Sequence, residues 1–327
     1  MGFNSQASHP AFSIDLAGTQ LKNSTFSRSI LMSIFKAVIT AAAPDQKSLP
    51  LQSLVDQRGI HKTALQLIAD EAVNAGVEEI CLVICPGSQS NYEKAAGEHA
   101  SRLTFVEQDN PRGYGDALFR ARDFVKNEPF LHLVSDHVYI SGIESGYAKQ
   151  LVDVATAESC AVSAVEPTRE NLLPFFGTIG GMRVPNSPKL YEVKTVKEKP
   201  TPTLAEQELI VAGLRASHYL CLSGMHVLTP SVMELLGENI QNLPSDAKIQ
   251  LSSALESLSA RERYLATEID GTRYNIGVKY GLLKSQLALA LSGKDRDQIL
   301  TELLELVAVG PKPAAAISNG KASGGTE

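Results

Sequence analysis

Short β-branched runs that alternate with helix-period segments constrain this chain more than any other feature. A buried strand followed by a helix returns to its sheet most readily as a parallel crossover. Residues 35–40 (Phe-Lys-Ala-Val-Ile-Thr) are the first such run. Residues 61–75 then place Leu65, Ile68, Ala69, Ala72 and Val73 on one helical face, with Gly76 as the stop. Residues 79–84 read as the next strand, closed by a Pro86-Gly87 turn, and the winding continues through a helix at 92–99, a strand at 103–108, a helix at 117–125 and a strand at 131–135. The expected fold is α/β, a doubly wound, mostly parallel Rossmann-like sheet. Beyond Tyr139, strand candidates at 160–165, 191–196 and 219–228 are separated by longer irregular pieces, which predicts a mixed-sheet extension. Helices at 249–261, 277–291 and 296–307 end the pattern, and no internal repeat is present.

Residues 1–33 are Ser/Asn/Thr-rich without a sustained period, which predicts a disordered leader; Met32 stands just before the first strand and is a second candidate start. Residues 34–309 carry the pattern of one large domain, and the Gly/Ala/Pro/Ser/Lys-rich stretch 310–327 predicts a disordered tail. With 30 Lys and Arg against 36 Asp and Glu the net charge is -6, and no basic run is long enough to track a nucleic-acid backbone, so nucleic acid is excluded as a partner. No apolar stretch reaches the roughly 18 residues of a membrane span, and no secretory signal pattern opens the chain. The cytoplasm is the expected compartment. Cys81, Cys85, Cys160 and Cys221 lie inside apolar runs and read as buried free thiols.

In doubly wound sheets the ligand lies beyond the carboxyl ends of the strands, so the polar residues that follow each strand carry the argument. Glu107-Gln-Asp-Asn-Pro-Arg-Gly-Tyr-Gly-Asp-Ala117 joins a strand to a helix through two glycines that permit close approach of a ligand, and the Gln108 amide suits the edge of a base; an ordinary tight turn is the alternative. Asp136 follows an apolar strand, where it either holds a hard cation with phosphate oxygens or caps a turn, and His137 reads as a hydrogen-bonded neighbour. Glu198-Lys199-Pro200 ends another strand; its carboxylate could accept from sugar hydroxyls and its ammonium could neutralise a phosphate, or the run is a solvated charge cluster. Asn275, before Gly277, reads either as an oxygen presented to an anion-bound metal or as a plain helix cap.

Taken in order, these pieces resemble the sugar-1-phosphate nucleotidyltransferases, and among them the bacterial UTP:glucose-1-phosphate uridylyltransferases. The likeness spans about residues 35–291. Lys36-Ala-Val-Ile-Thr-Ala-Ala is similar to the family's opening strand, and residues 62–77 to its Lys-Pro-x-Ile-Gln helix, with Gln66, Glu71, Ala72, Ala75 and Gly76 in place. Gln108 stands at the uracil-reading Gln, Gly113-Tyr-Gly-Asp-Ala at Gly-x-Gly-His/Asp-Ala, Asp136 at the metal-binding Asp, Gly177 at a sugar-pocket Gly and Glu198-Lys199-Pro200 at Glu-Lys-Pro. Ser217 to Gly224, Ile249-Gln-Leu and Tyr274-Asn-Ile-Gly277 resemble three later motifs.

Four departures stand beside these matches. Where the family carries Gly-x-Gly-Thr-Arg, this chain runs Ala41-Ala-Ala-Pro-Asp-Gln-Lys47-Ser-Leu-Pro50, with no glycine. Lys47 aligns with either the lost Arg or, preferably, a later family lysine; Lys47 or Arg112 could replace part of the missing charge. Asn275 replaces an Asp, His218 a sugar-pocket Asn, and Ser253 the Asp of Gln-Leu-Thr-Asp. The resemblance implies transfer of a nucleotidyl group from UTP to glucose 1-phosphate or a similar sugar 1-phosphate, with Lys47 and Lys199 as catalytic cations. It further implies nucleotide contacts at Ala41, Ala42, Gln108, Gly113 and Asp136, sugar contacts at Gly177, Glu198, Lys199 and His218, and Mg²⁺ on Asp136 and Asn275. The implied partners are a nucleotide and a sugar phosphate, with a homo-oligomer or pairing with an active relative. The missing glycines leave a second reading open, a catalytically impaired member that binds a nucleotide sugar as a sensor or regulatory subunit.

Overall fold

In the computed structural model the described residues are 1–2 and 32–309, so nearly all of the expected leader and the whole expected tail lie outside them. The strands in chain order are β1 (Lys36–Ala41), β2 (Ser53–Val55), β3 (His61–Thr63), β4 (Glu79–Ile84), β5 (Leu103–Glu107), β6 (Phe130–Val134) and β7 (His137–Ser141). They continue as β8 (Ala161–Arg169), β9 (Gly177–Arg183), β10 (Leu190–Glu198), β11 (His218–Leu228), β12 (Tyr264–Glu268) and β13 (Gly271–Asn275). The helices are α1 (Ala64–Asn74), α2 (Gln89–Ala96), α3 (Tyr114–Arg120), α4 (Arg122–Val125), α5 (Tyr147–Glu158), α6 (Pro202–Glu208), α7 (Ser231–Asn242), α8 (Leu251–Arg261), α9 (Gly281–Leu291) and α10 (Arg296–Val309).

Nine strands form one sheet in the order β5-β4-β1-β6-β11-β8-β12-β10-β9. The first four are mutually parallel, and of the remainder only β11 and β10 run against them. Strand β1 is buried on both faces, as its unbroken apolar run requires. Its Ala37 and Ile39 pack with Leu65 and Ile68 of α1 and Leu151 of α5, while Val38 packs with Leu118 of α3, Leu236 of α7 and Leu255 of α8. Helices thus cover both faces, and the doubly wound expectation holds.

Three readings change. The residue 61–75 segment is not one helix: His61–Thr63 pair with β2 as a hairpin, and α1 starts only at Ala64, where Thr63 accepts from the Gln66 N–H while the Gln66 side chain reaches back to the Thr63 N–H. The pieces beyond Tyr139 are not irregular, because α5, β9, α6 and α7 fill them. The helix placed at 277–291 begins four residues later, at Gly281, since residues 271–275 form β13 and Tyr280 takes φ 61 at the turn into α9. The four cysteines are free; Cys81, Cys160 and Cys221 are buried and Cys85 partly so, and burial pushes the Cys81 thiol up to about 12. Among the described residues no helix is long and apolar enough to cross a membrane.

The β3–α1 corner is held by a charged cluster. The Lys62 ammonium is buried, 2.6 Å from Asp70, and His99 reaches the other Asp70 oxygen at 2.8 Å. Burial alone would raise the Asp70 carboxyl, but its bonds to His99 and Lys62 outweigh that and hold it below the ordinary carboxylate value. A depressed carboxyl stabilises the fold above its unfolded value, near pH 4, and that contribution disappears as pH falls through the lower native value. Asp70→Asn is expected to cost on the order of 3 kcal/mol at pH 7, because it leaves the Lys62 charge poorly partnered, and markedly less near pH 3. Urea unfolding of both proteins at the two pH values measures the difference.

Candidate active site

One wall of the site begins at the end of β5. The Gln108 N–H donates to the Ile84 carbonyl, which continues the β4–β5 ladder and fixes the residue against the sheet. Its side-chain nitrogen donates to Asp116 at 2.6 Å and faces the Gly113 carbonyl at 3.4 Å. A carbonyl only accepts, so the atom turned toward Gly113 is nitrogen, and the Gln108 oxygen is the atom left for a ligand. Gly113 takes φ 109 and ψ -177, a region open to glycine alone, and a Cβ there would lie 2.9 Å from the Ile249 carbonyl oxygen. The close pass is held by two backbone bonds, Ile249 N–H to Arg112 O and Gly115 N–H to Ile249 O.

Asp136 follows β6 and precedes β7. Strand β7 pairs antiparallel with β13, with Asn275 opposite His137, and the Ile276 N–H donates to the Asp136 carbonyl at 2.8 Å. This ladder sets Asn275 beside Asp136, their side chains 3.4 Å apart. The Asn275 oxygen accepts from the Gly277 N–H at 2.7 Å, so its nitrogen is the atom facing Asp136. Burial raises the Asp136 carboxyl above its ordinary value, and the Arg273 charge and the Asn275 amide act against the rise. As a donor set for a hard divalent cation, Asp136 supplies the ionic oxygen and Asn275 a second lone pair on an oxygen already in use. This fits a cation that takes most of its ligands from phosphate and water. Neither ring nitrogen of His137 has a hydrogen-bond partner, contrary to the expectation of a bonded neighbour; burial first, then Arg273, holds the imidazole neutral, far below its ordinary value.

On the opposite wall β9 and β10 set Gly177 across from Glu198. A Cβ on Gly177 would meet Leu222 at 3.1 Å and the Glu198 carboxylate at 3.4 Å, so glycine leaves the acid room. Lys199 turns out of β10 with φ 45, a conformation that is costly for a residue with a side chain; its N–H donates to Phe176 O, and its ammonium stands 4.0 Å from Glu198.

These walls enclose one cavity of about 680 Å³. It gathers Ala42, Gln108, Gly113, Asp136, Gly177, Glu198, Lys199 and Asn275 from the expected site residues. Ala41, Lys47 and His218 are not in its lining: Lys47 is exposed with its carbonyl accepting from Tyr92, and His218 bonds the Ala216 carbonyl. Arg112 is also turned away, onto the Pro244 carbonyl. Two cations that the sequence reading did not single out, Arg273 and Lys248, do line the cavity. Arg273 was legible in principle, since strand alternation places residues 273 and 275 on one side once 271–275 is taken as a strand.

Residues 57–283, more than half of the chain, match the family model described as nucleotidyl transferase. The chain belongs to that family. A UTP–glucose-1-phosphate uridylyltransferase of Streptococcus pneumoniae is 29% identical to this nucleotidyl transferase over 299 residues, 83% of this chain and 95% of that protein. One from Streptococcus pyogenes is 28% identical over 285 residues, 78% of this chain and 88% of that protein. The solved UDP-glucose pyrophosphorylase of Acinetobacter baumanii shares the fold, with a TM-score of 0.66 at 24% identity, covering 84% of this chain and 100% of that one.

Gly113→Ala tests the close pass. We expect a loss of about 1–3 kcal/mol in unfolding free energy, from the disallowed backbone and the collision with Ile249. Nucleotide affinity should fall more than tenfold, measured by calorimetry.

Proposed function

We propose that this nucleotidyl transferase joins UTP to glucose 1-phosphate, or a closely similar sugar 1-phosphate, releasing pyrophosphate. The observation that carries the reading is the convergence of Gln108, Asp136 and Glu198-Lys199 on one cavity. A sugar-phosphate oxygen forms a bond to the α-phosphorus of UTP as the bond from that phosphorus to its β-bridging oxygen breaks; the electron pair leaves with pyrophosphate, and nothing is oxidised. Positioning and charge neutralisation are the main demands of such a transfer. Gln108 orients the base: its free oxygen accepts from the imide N–H of uracil, whereas the corresponding ring nitrogen of cytosine offers no donor. Gly113 brings backbone against the nucleoside. Glu198, with no partner nearer than Lys199 at 4.0 Å among the described residues, accepts from sugar hydroxyls, and Lys199 faces the phosphate. Mg²⁺, held by Asp136 with Asn275 beside it, would neutralise phosphate oxygens when bound.

The same reading extends to the setting. Residues 34–309 act as a single domain in the cytoplasm, where the nucleotide substrate is found. The protein works as a homo-oligomer: α10 buries none of its residues and exposes Leu304, Leu306, Val307 and Val309, a surface that a second copy could cover.

Purified protein with Mg²⁺, UTP and glucose 1-phosphate is expected to yield UDP-glucose and pyrophosphate in equal amounts. Replacing UTP by CTP should lower kcat/KM at least a hundredfold. No product from any combination of nucleoside triphosphate and sugar 1-phosphate, with UDP-glucose still binding tightly, would replace this reading with that of a non-catalytic nucleotide-sugar sensor.

A further inference from the structure

The proposed reaction requires positive charge at the phosphates, and the segment 41–50 places none of it in the cavity wall. Lys47 and Arg112 both lie outside the lining. Arg273 is differently placed. Its side chain is 8% exposed, yet it lines the cavity between the Asp136 end and the Phe176, Gly177 and Leu222 end. It stands on β13 two residues before Asn275, so strand alternation turns both side chains to the same side.

The guanidinium is held in place with donors to spare. Its plane lies over the Phe176 ring at 4.4 Å. Glu166 on β8 accepts the Arg273 backbone N–H at 3.2 Å, while its other oxygen is 3.7 Å from Nη2, beyond hydrogen-bond reach. Nη1 reaches the Leu222 carbonyl at 3.5 Å, the limit of a hydrogen bond. Among the described residues the five N–H donors of this nearly buried cation make one marginal hydrogen bond and one long ion pair with Glu166, which leaves donors free to take an anion from outside the chain.

We propose that Arg273 is the phosphate-binding residue for the sugar 1-phosphate: its guanidinium grips that phosphate at the sugar end of the cavity. This rests on the transfer reading above. A planar fork can bond two phosphate oxygens at once, whereas Lys199, exposed and beside Glu198, acts as a point charge.

The test is calorimetry and kinetics on Arg273→Met and Arg273→Lys, with glucose 1-phosphate alone, glucose alone and UTP alone as probes. In Arg273→Met, affinity for glucose 1-phosphate and the corresponding KM should weaken about 10- to 100-fold, as expected for loss of a charged bidentate contact. UTP affinity should stay within about threefold of the wild type, and Arg273→Lys should recover part of the loss. Because removing Arg273 strands Glu166, Arg273→Met/Glu166→Gln serves as the second variant should the single one unfold. Unchanged glucose 1-phosphate affinity in either folded variant overturns the proposal, as does an equal loss of UTP affinity, which would make the residue merely structural. The two readings separate cleanly. If the wild type makes no UDP-glucose but binds glucose 1-phosphate through Arg273, the transfer reading fails and this one stands. Turnover with an unchanged KM in Arg273→Met removes this one alone. A wild type that neither binds nor transfers removes both.

Discussion

The short antiparallel ladder between β7 and β13 is the constraint on which the site depends. It joins a carboxylate at the end of a central strand to a segment more than a hundred residues later in the chain, through the Ile276 N–H on the Asp136 carbonyl and the Asn275 amide beside the Asp136 side chain. Without it Asp136 would be a strand-end acid open to water, and Arg273 would not be held in the same cavity wall. With it, a largely buried carboxylate whose affinity for protons is raised sits 3.7 Å from a neutral imidazole and within the field of one guanidinium. Such groups carry a cost when left without partners away from water, which the ladder imposes on all three.

The rest of the fold holds two other walls against this ladder. Gly113 lets the β5–α3 loop touch the start of α8 at Ile249, and the β9–β10 pairing puts Gly177 under Glu198. Each approach uses the absence of a side chain at a defined point: one methyl group would block the pass at Gly113 and would crowd Leu222 and Glu198 at Gly177. Lys199 does the reverse, keeping a side chain in a conformation that favours glycine. That strain is sustained by the Phe176 carbonyl and turns the residue into the cavity.

How much of this was legible in the sequence follows from the range of the interactions. Strands β1, β4 and β6 were readable because burial on both faces leaves a largely apolar run, Asp136 because it follows β6, and Gln108 and Glu198 because they stand at the ends of β5 and β10. Strand β13 (Gly-Thr-Arg-Tyr-Asn) was not, since a half-exposed five-residue strand has no apolar signature and its partner is remote; it read as the lead-in to a helix, which hid Arg273. The β2–β3 hairpin was absorbed into α1 because the alternation in His61-Lys62-Thr63 is too short to compete with a helical period. Helices α5 and α7 carry ordinary amphipathic spacing and were passed over beside the stronger strand signals around them. Which atoms of Gln108 and Asn275 face the cavity could not be read from residue type at all, because their amides are oriented by the Gly113 carbonyl and the Gly277 N–H.

The central claim is that this cavity serves a uridine nucleotide and a sugar phosphate without a glycine-rich phosphate loop. A crystal structure of the protein with UDP-glucose tests it most directly. The account predicts the uracil imide against the Gln108 oxygen, the diphosphate between Asp136 and Arg273, and the glucosyl hydroxyls on Glu198. Phosphates seated instead on the backbone of residues 41–50, with Arg273 still turned to Leu222 and Glu166, would contradict it.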